Sequence, residues 1–304
     1  MATCVAEYLG KRTDVDDPVI VPCDFSPIPK CPFSHDNICS KCKSHNEPIC
    51  SVRKSDGTLW INCPNRLCTT KKDQPLSEYQ ISILTAVAQN VFDRSIDPRD
   101  VCVKREVKLQ ANEDTTYKAD YIMTLRGGLS PFSGPDKLIV EMQGGGETSN
   151  TGKLTDHVAS WRVLNARTNE LLRTFTAAST LETNAWRRQQ EQFIVKGNIA
   201  MKTWKGYGMA FCVGTLLYDY LMNKINKDLL PDLREHNWTL ALLCFKEDDS
   251  QPKRPGPIPL CIDTTRMLYT NYQTFVQALI NQGEPTAEAF KGEFLSLNNE
   301  TVVV

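Results

Sequence analysis

Ala119-Asp120-Tyr121-Ile122-Met123-Thr124-Leu125 and, beyond Gly127-Gly128, Lys137-Leu138-Ile139-Val140-Glu141-Met142-Gln143-Gly144-Gly145-Gly146 are the two stretches that decide the fold of this chain. Each is a short apolar run stopped by glycines, the pattern of a β-strand rather than a helix. Side chains alternate along a strand, so positions two apart share a face. Glu141 and Gln143 therefore point together, and the spacing aims them at Asp120 on the neighbouring strand.

Outward from this pair, residues 101–109 read as a third strand. Upstream, Ser77 and Gln80 form a capping box, and Ile81, Leu84, Val87, Ala88 and Val91 follow at helical spacing. Downstream, 150–183 is polar and read as helical pieces, and 184–205 reads as a helix with Trp186, Phe193, Ile194 and Ala200 on one face. Its polar face takes Arg187, Arg188, Gln189, Gln192 and Lys196. A strand at 207–213, a helix at 215–225, a strand at 238–245 and a helix at 272–280 complete the pattern. The order β-β-β-α-β-α-β-α predicts an α/β fold, a mixed β-sheet flanked by helices.

The N-terminal quarter has a different composition. Cys4, Cys23, Cys31, Cys39, Cys42, Cys50, Cys63 and Cys68 crowd the first 68 of 304 residues, out of twelve cysteines in all. The stretch 23–72 is rich in Pro, Lys and Asn and poor in aliphatic periodicity, so it is expected to need a metal to fold. The chain divides accordingly into a Cys-rich segment, 1–75, and a main domain, 76–304. Without a secretory signal, dense cysteine points to thiolate metal ligands rather than disulfides, and places the chain in the cytoplasm. Cys31, Cys39, Cys50 and Cys63 could close a tetrahedral site, with Cys42 competing with Cys39 for the second position. Such a site accommodates zinc or iron. No apolar run approaches the length of a membrane span. A net charge of −1 gives no global sign of nucleic acid, so a DNA-binding surface would have to be a local cluster of Lys and Arg.

Two carboxylates meeting at one point repel unless a cation or a shared proton resolves the repulsion. Asp120 and Glu141 could hold Mg²⁺ together with the backbone carbonyl of Met142, and Glu106 on the preceding strand could join them. That is the chemistry of metal-assisted phosphodiester hydrolysis. Most nucleases of this layout carry Lys where Gln143 stands. A neutral amide cannot neutralise charge, but it can orient a water through its donor and acceptor atoms.

Taken in order, the signatures Val5-Ala6-Glu7-Tyr8-Leu9-Gly10, Cys31-Pro32-Phe33, Cys50-Ser51-Val52, Cys63-Pro64-Asn65-Arg66, Ala119-Asp120, Glu141-Met142-Gln143 and Asn184-Ala185-Trp186-Arg187-Arg188 resemble the NotI family of type II restriction endonucleases. The resemblance implies a bacterial, Mg²⁺-dependent enzyme with a PD-(D/E)xK core in which Gln takes the Lys position. It implies Glu106, Asp120, Glu141 and Gln143 as the catalytic set, and Cys31, Cys39, Cys50 and Cys63 as ligands of a structural Zn²⁺ or Fe in a segment that contacts DNA. The substrate would be double-stranded DNA carrying a short GC-rich palindrome, cut in both strands by a homodimer to leave 5′-phosphate ends. No membrane and no small-molecule substrate are involved in that reading. Arg187 and Arg188 are the favoured DNA contacts, with Arg162 and Lys196 as further candidates. Two other classes compete: a DNA-binding module without catalysis, and a repair or nicking nuclease that reads DNA structure.

Overall fold

The computed structural model describes the chain except residues 1, 36, 69–73, 128–130, 132, 147, 150, 165–166, 204–206, 283–286 and 304. The N-terminal segment forms a four-stranded sheet from β1 (Thr3–Tyr8), β2 (Lys11–Arg12), β3 (Ile49–Lys54) and β4 (Leu59–Ile61), in the order β2-β1-β3-β4. Two one-turn helices, α1 (Ser40–Lys43) and α2 (Pro64–Leu67), flank it. These strands were not legible as such, because cysteines occupy positions where apolar alternation would have appeared.

Helix α3 (Glu78–Val91) opens the main body on the predicted capping box, Ser77 Oγ accepting from the Gln80 amide and the Gln80 side chain accepting from the Ser77 amide. There follow β5 (Val101–Gln110), β6 (Thr116–Leu125), β7 (Lys137–Gln143), β8 (Thr148–Ser149), α4 (Thr151–Leu164), β9 (Ser179–Thr180), α5 (Glu182–Thr203), β10 (Tyr207–Gly214), α6 (Thr215–Lys224), β11 (Leu240–Glu247), β12 (Leu260–Thr270), α7 (Tyr272–Ile280), β13 (Glu293–Leu295) and β14 (Thr301–Val303). The predicted end of the long helix at 205 lies outside the described residues. Six strands make the central sheet in the order β12-β11-β10-β7-β6-β5. Pairing is parallel for β7–β10 and β10–β11 and antiparallel elsewhere, so the sheet is mixed, as expected. The edge strand β12 went unread because Asp263, Thr264, Thr265 and Arg266 interrupt its apolar pattern.

Strand alternation distributes the core between two faces. Leu138, Val140, Ala210, Cys212, Ala241 and Leu243 turn toward α3, where they meet Ile83, Leu84, Val87, Ala88 and Val91. Ile139, Phe211, Val213, Leu242 and Cys244 turn to the other face and pack under α5, α6 and α7 through Trp186, Phe193, Leu217, Leu221 and Phe275. Odd-numbered positions of β7 therefore look toward α5. Gly197 lets that helix lie close to α7, since an added Cβ would stand 2.1 Å from the Tyr272 ring.

The N-terminal segment packs into this body. Val5, Tyr8, Ile49, Val52 and Trp60 belong to the same continuous core as Trp161, Phe193 and Phe211. Arg66 and Glu7, both wholly buried, pair at 2.7 Å. Glu7 also accepts from Ser51 Oγ at 2.6 Å and from the Ile258 amide at 2.7 Å, while Arg66 donates to Tyr79 and to the Ile258 carbonyl.

A candidate carboxylate site beside a cysteine-rich wall

The register of β6 on β7 pairs Tyr121 with Val140 and Ile122 with Ile139, so the next step sets Asp120 across from Glu141. Hydrogen bonds lock the step: the Met142 amide donates to Asp120 Oδ2 at 2.9 Å, and the Asp120 amide donates to Glu141 Oε1 at 3.3 Å. Glu141 shares parity with Ile139 and so faces α5. There Lys196 Nζ donates to Glu141 Oε2 at 2.7 Å, with the lysine side chain only 1% exposed. Lys196, one of the further candidates for a DNA contact, is instead buried against the carboxylate pair. The signal was present: Lys196 stands three residues after Phe193 and four before Ala200, inside the apolar stripe of α5.

Burial first, then the charge of Asp120, raises the Glu141 carboxyl to about 7, while Lys196 pulls the other way. Burial also raises Asp120, opposed by the Met142 amide and Lys196 and assisted by Glu106. Glu106 sits on β5 between the pairs Arg105–Tyr121 and Val107–Ala119, opposite Asp120. Its backbone is left-handed, φ +49°, a conformation uncommon for glutamate inside a strand. Its side chain lies 3.4 Å from Lys118 Nζ. Glu141 thus holds the buried ammonium, Asp120 lies across from it, and Glu106 adds its charge from the neighbouring strand while pairing with Lys118. Two carboxylates opposed across adjacent strands and an all-oxygen donor set fit a hard divalent cation, which Asp120, Glu141 and the Met142 carbonyl would hold.

Gln143 lines a groove of about 460 Å³ that runs between the central sheet and the N-terminal segment, together with Lys41, Asn46, Asn62, Arg188 and Gln189. The two walls are clamped at the end of β7. Ile61 bridges to Gly145, the Gly146 amide donates to the Ile61 carbonyl at 3.1 Å, and Trp60 Nε1 donates to the Gly146 carbonyl at 3.1 Å. A Cβ at Gly145 would come within 2.8 Å of the Trp60 ring, so the glycine run that ends the strand also seats β4 against it.

The cysteines divide into neighbouring groups, and all twelve are free thiols. Cys31, Cys50 and Cys63 pack together with Phe33. Cys39 sits instead with Cys23 and Cys42, whose sulfurs are 3.8 Å apart. Cys23 was not among the expected ligands. Amide donors already face two of the expected sulfurs: Gly10 N to Cys50 Sγ at 3.3 Å and Asn65 Nδ2 to Cys31 Sγ at 3.6 Å. N–H donors of this kind stabilise thiolate, so the thiols fit a zinc or iron ion in their chemistry. Burial raises Cys50 well above the usual thiol range, with Glu7 adding to it, and burial raises Cys63 as well. Among the described residues, no three His, Cys, Asp or Glu side chains are drawn up as a closed metal cage.

Of the expected DNA contacts, Arg187 and Arg188 are exposed on α5, and Arg188 reaches the groove. Arg162 is engaged otherwise. It binds Glu47 at 3.0 Å and the Cys23 carbonyl at 2.9 Å and stacks over Phe25, tying α4 to the N-terminal segment. Among the described residues, no helix is long and apolar enough to cross a membrane. Compared over its whole sequence with known protein families and with curated proteins, the chain finds no match, so the NotI-like order remains a resemblance of motifs and the site stands on its own geometry.

Proposed function

We propose that this chain is a Mg²⁺-dependent type II restriction endonuclease with a PD-(D/E)xK core, cutting both strands of a short GC-rich palindrome in double-stranded DNA as a homodimer and leaving 5′-phosphate ends. The observation that carries the reading is the Asp120–Glu141 pair, opposed across adjacent strands, with Glu141 buried two residues before Gln143, which lines the groove together with Arg188. Asp120, Glu141 and the Met142 carbonyl would hold Mg²⁺, which when bound supplies acidification of the attacking water and charge neutralisation at the phosphate. Gln143 orients that water through its amide. Glu106 adds negative charge at Asp120 and so favours cation capture. Cys31, Cys50 and Cys63, with Cys39 or Cys42 as the fourth ligand, would hold a structural zinc or iron ion that stiffens the opposite wall of the groove.

The test is digestion of plasmid and linear phage DNA in Mg²⁺ by wild type and Glu141→Ala. Discrete fragments from wild type, lost by at least about 10³-fold in the variant while binding to the duplex persists, is the expected result. Cutting by the variant at the wild-type rate removes the site assignment, and a smear or nicked circles turns the reading to a nicking or repair nuclease. One observation favours a second reading, a DNA-binding module without catalysis: the Lys196 ammonium already seated on Glu141. Duplex binding without any cleavage would select it.

A further inference from the structure

Lys196 is the least economical residue in the site. A lysine buried to 1% exposure loses the hydration of its ammonium, and a single carboxylate 2.7 Å away compensates that loss only in part. The helix stripe in which it stands accepts apolar side chains at Phe193 and Ala200, so packing alone gives no reason for a charge there. Its placement instead follows the carboxylates. Lys196 takes Oε2 of Glu141 while the Asp120 amide takes Oε1, so both oxygens of that carboxylate are held and its orientation is fixed from two sides. On the strand itself, the position two residues after Glu141 is the neutral Gln143, which brings no charge to the site.

We infer that Lys196, arriving from α5, is the positioning residue that supplies the fixed positive charge Gln143 cannot, orienting Glu141 and tempering the affinity of the acidic pair for a divalent cation. The inference rests on the nuclease reading for the identity of that cation. A lysine that only stabilised the helix would leave cation binding unchanged, whereas a charge beside the binding carboxylates must weaken it by simple repulsion.

The experiment compares wild type, Lys196→Met and Lys196→Arg as full-length protein. Mg²⁺ binding is measured by titration calorimetry without DNA, melting temperature with and without Mg²⁺, and plasmid cleavage at saturating Mg²⁺. Lys196→Met should bind Mg²⁺ about tenfold more tightly than wild type, melt lower without the ion, and gain more from Mg²⁺ than wild type does. Its cleavage should fall by about 10²-fold or more, and Lys196→Arg should recover most of both properties. If Lys196→Met does not fold, Lys196→Gln is measured in the same way, since it keeps a donor and removes the charge. Unchanged or weaker Mg²⁺ binding, or cleavage at the wild-type rate, overturns the assignment. Wild type that binds no Mg²⁺ and cuts no DNA overturns the nuclease reading instead, so the two failures are distinguishable.

Discussion

Glu141 concentrates the local conflict of the molecule, a carboxylate buried beside another carboxylate with one ammonium to answer both. Its carboxyl is raised to about 7, above the ordinary 4.5, chiefly by burial. A folded-state value above the unfolded one means that the folded chain holds the proton more tightly. The group then favours folding at low pH, and that contribution is lost as pH rises through about 7. Metal-free protein should melt several degrees higher at about pH 5.5 than at about pH 8, and Glu141→Gln should flatten this part of the profile. An identical slope in the variant would count against the burial of this charge. The pairing of Glu141 with Asp120 was legible because period-two alternation and the glycine stops are strong local signals. Lys196 was not, because a lysine on a helix is read by default as part of the solvated face, and only the spacing to Phe193 and Ala200 says otherwise. Glu106 was legible as a neighbour of the site, yet its left-handed backbone has no sequence signature outside glycine or asparagine.

At the scale of elements, strands β7 and β10 and helices α3 and α7 were readable almost to the residue, since each has clean periodicity and a capping or glycine boundary. The N-terminal sheet was not. Its strands bury thiols and share a core with α4 and α5, so neither alternation nor an independent apolar set betrays them. What fixes that sheet to the body is a buried polar junction, Glu7 and Arg66 with Ser51, Tyr79 and the backbone of Ile258. Every charge in it is paired, and the Arg66 guanidinium also lies over the Phe33 ring at 4.9 Å. Arg66→Met removes one partner and strands a carboxylate in the interior, which should lower stability by about 3–5 kcal/mol. Denaturant unfolding measures this directly, and a loss under about 1 kcal/mol would mean that water reaches Glu7. Because Phe33 packs with Cys31, Cys50 and Cys63, the same variant should also loosen the thiol cluster and slow its uptake of zinc.

For the molecule as a whole, a net charge of −1 means that any attraction to DNA has to come from where charges sit rather than from their sum. Two of the four cations expected at a DNA surface are used internally, Lys196 on Glu141 and Arg162 on Glu47. Arg187 and Arg188 are exposed on α5, and Arg188 lines the groove together with Gln143. Consecutive helical residues point about 100° apart, so the two arginines cannot play the same part. On the proposed nuclease reading, Arg188, which lines the groove, is the candidate for a base edge and Arg187 for a phosphate. Arg187→Ala should therefore weaken binding to all duplexes alike and reduce the salt slope of the binding constant by about 1. Arg188→Ala should cost about 1–3 kcal/mol against the best site and much less against other sequences, relaxing specificity. Binding measured on site and non-site duplexes over a range of salt separates the two. Equal losses on both duplexes for both variants would reduce α5 to a phosphate-binding helix and move base readout to the opposite wall, where Asn46 and Asn62 line the groove.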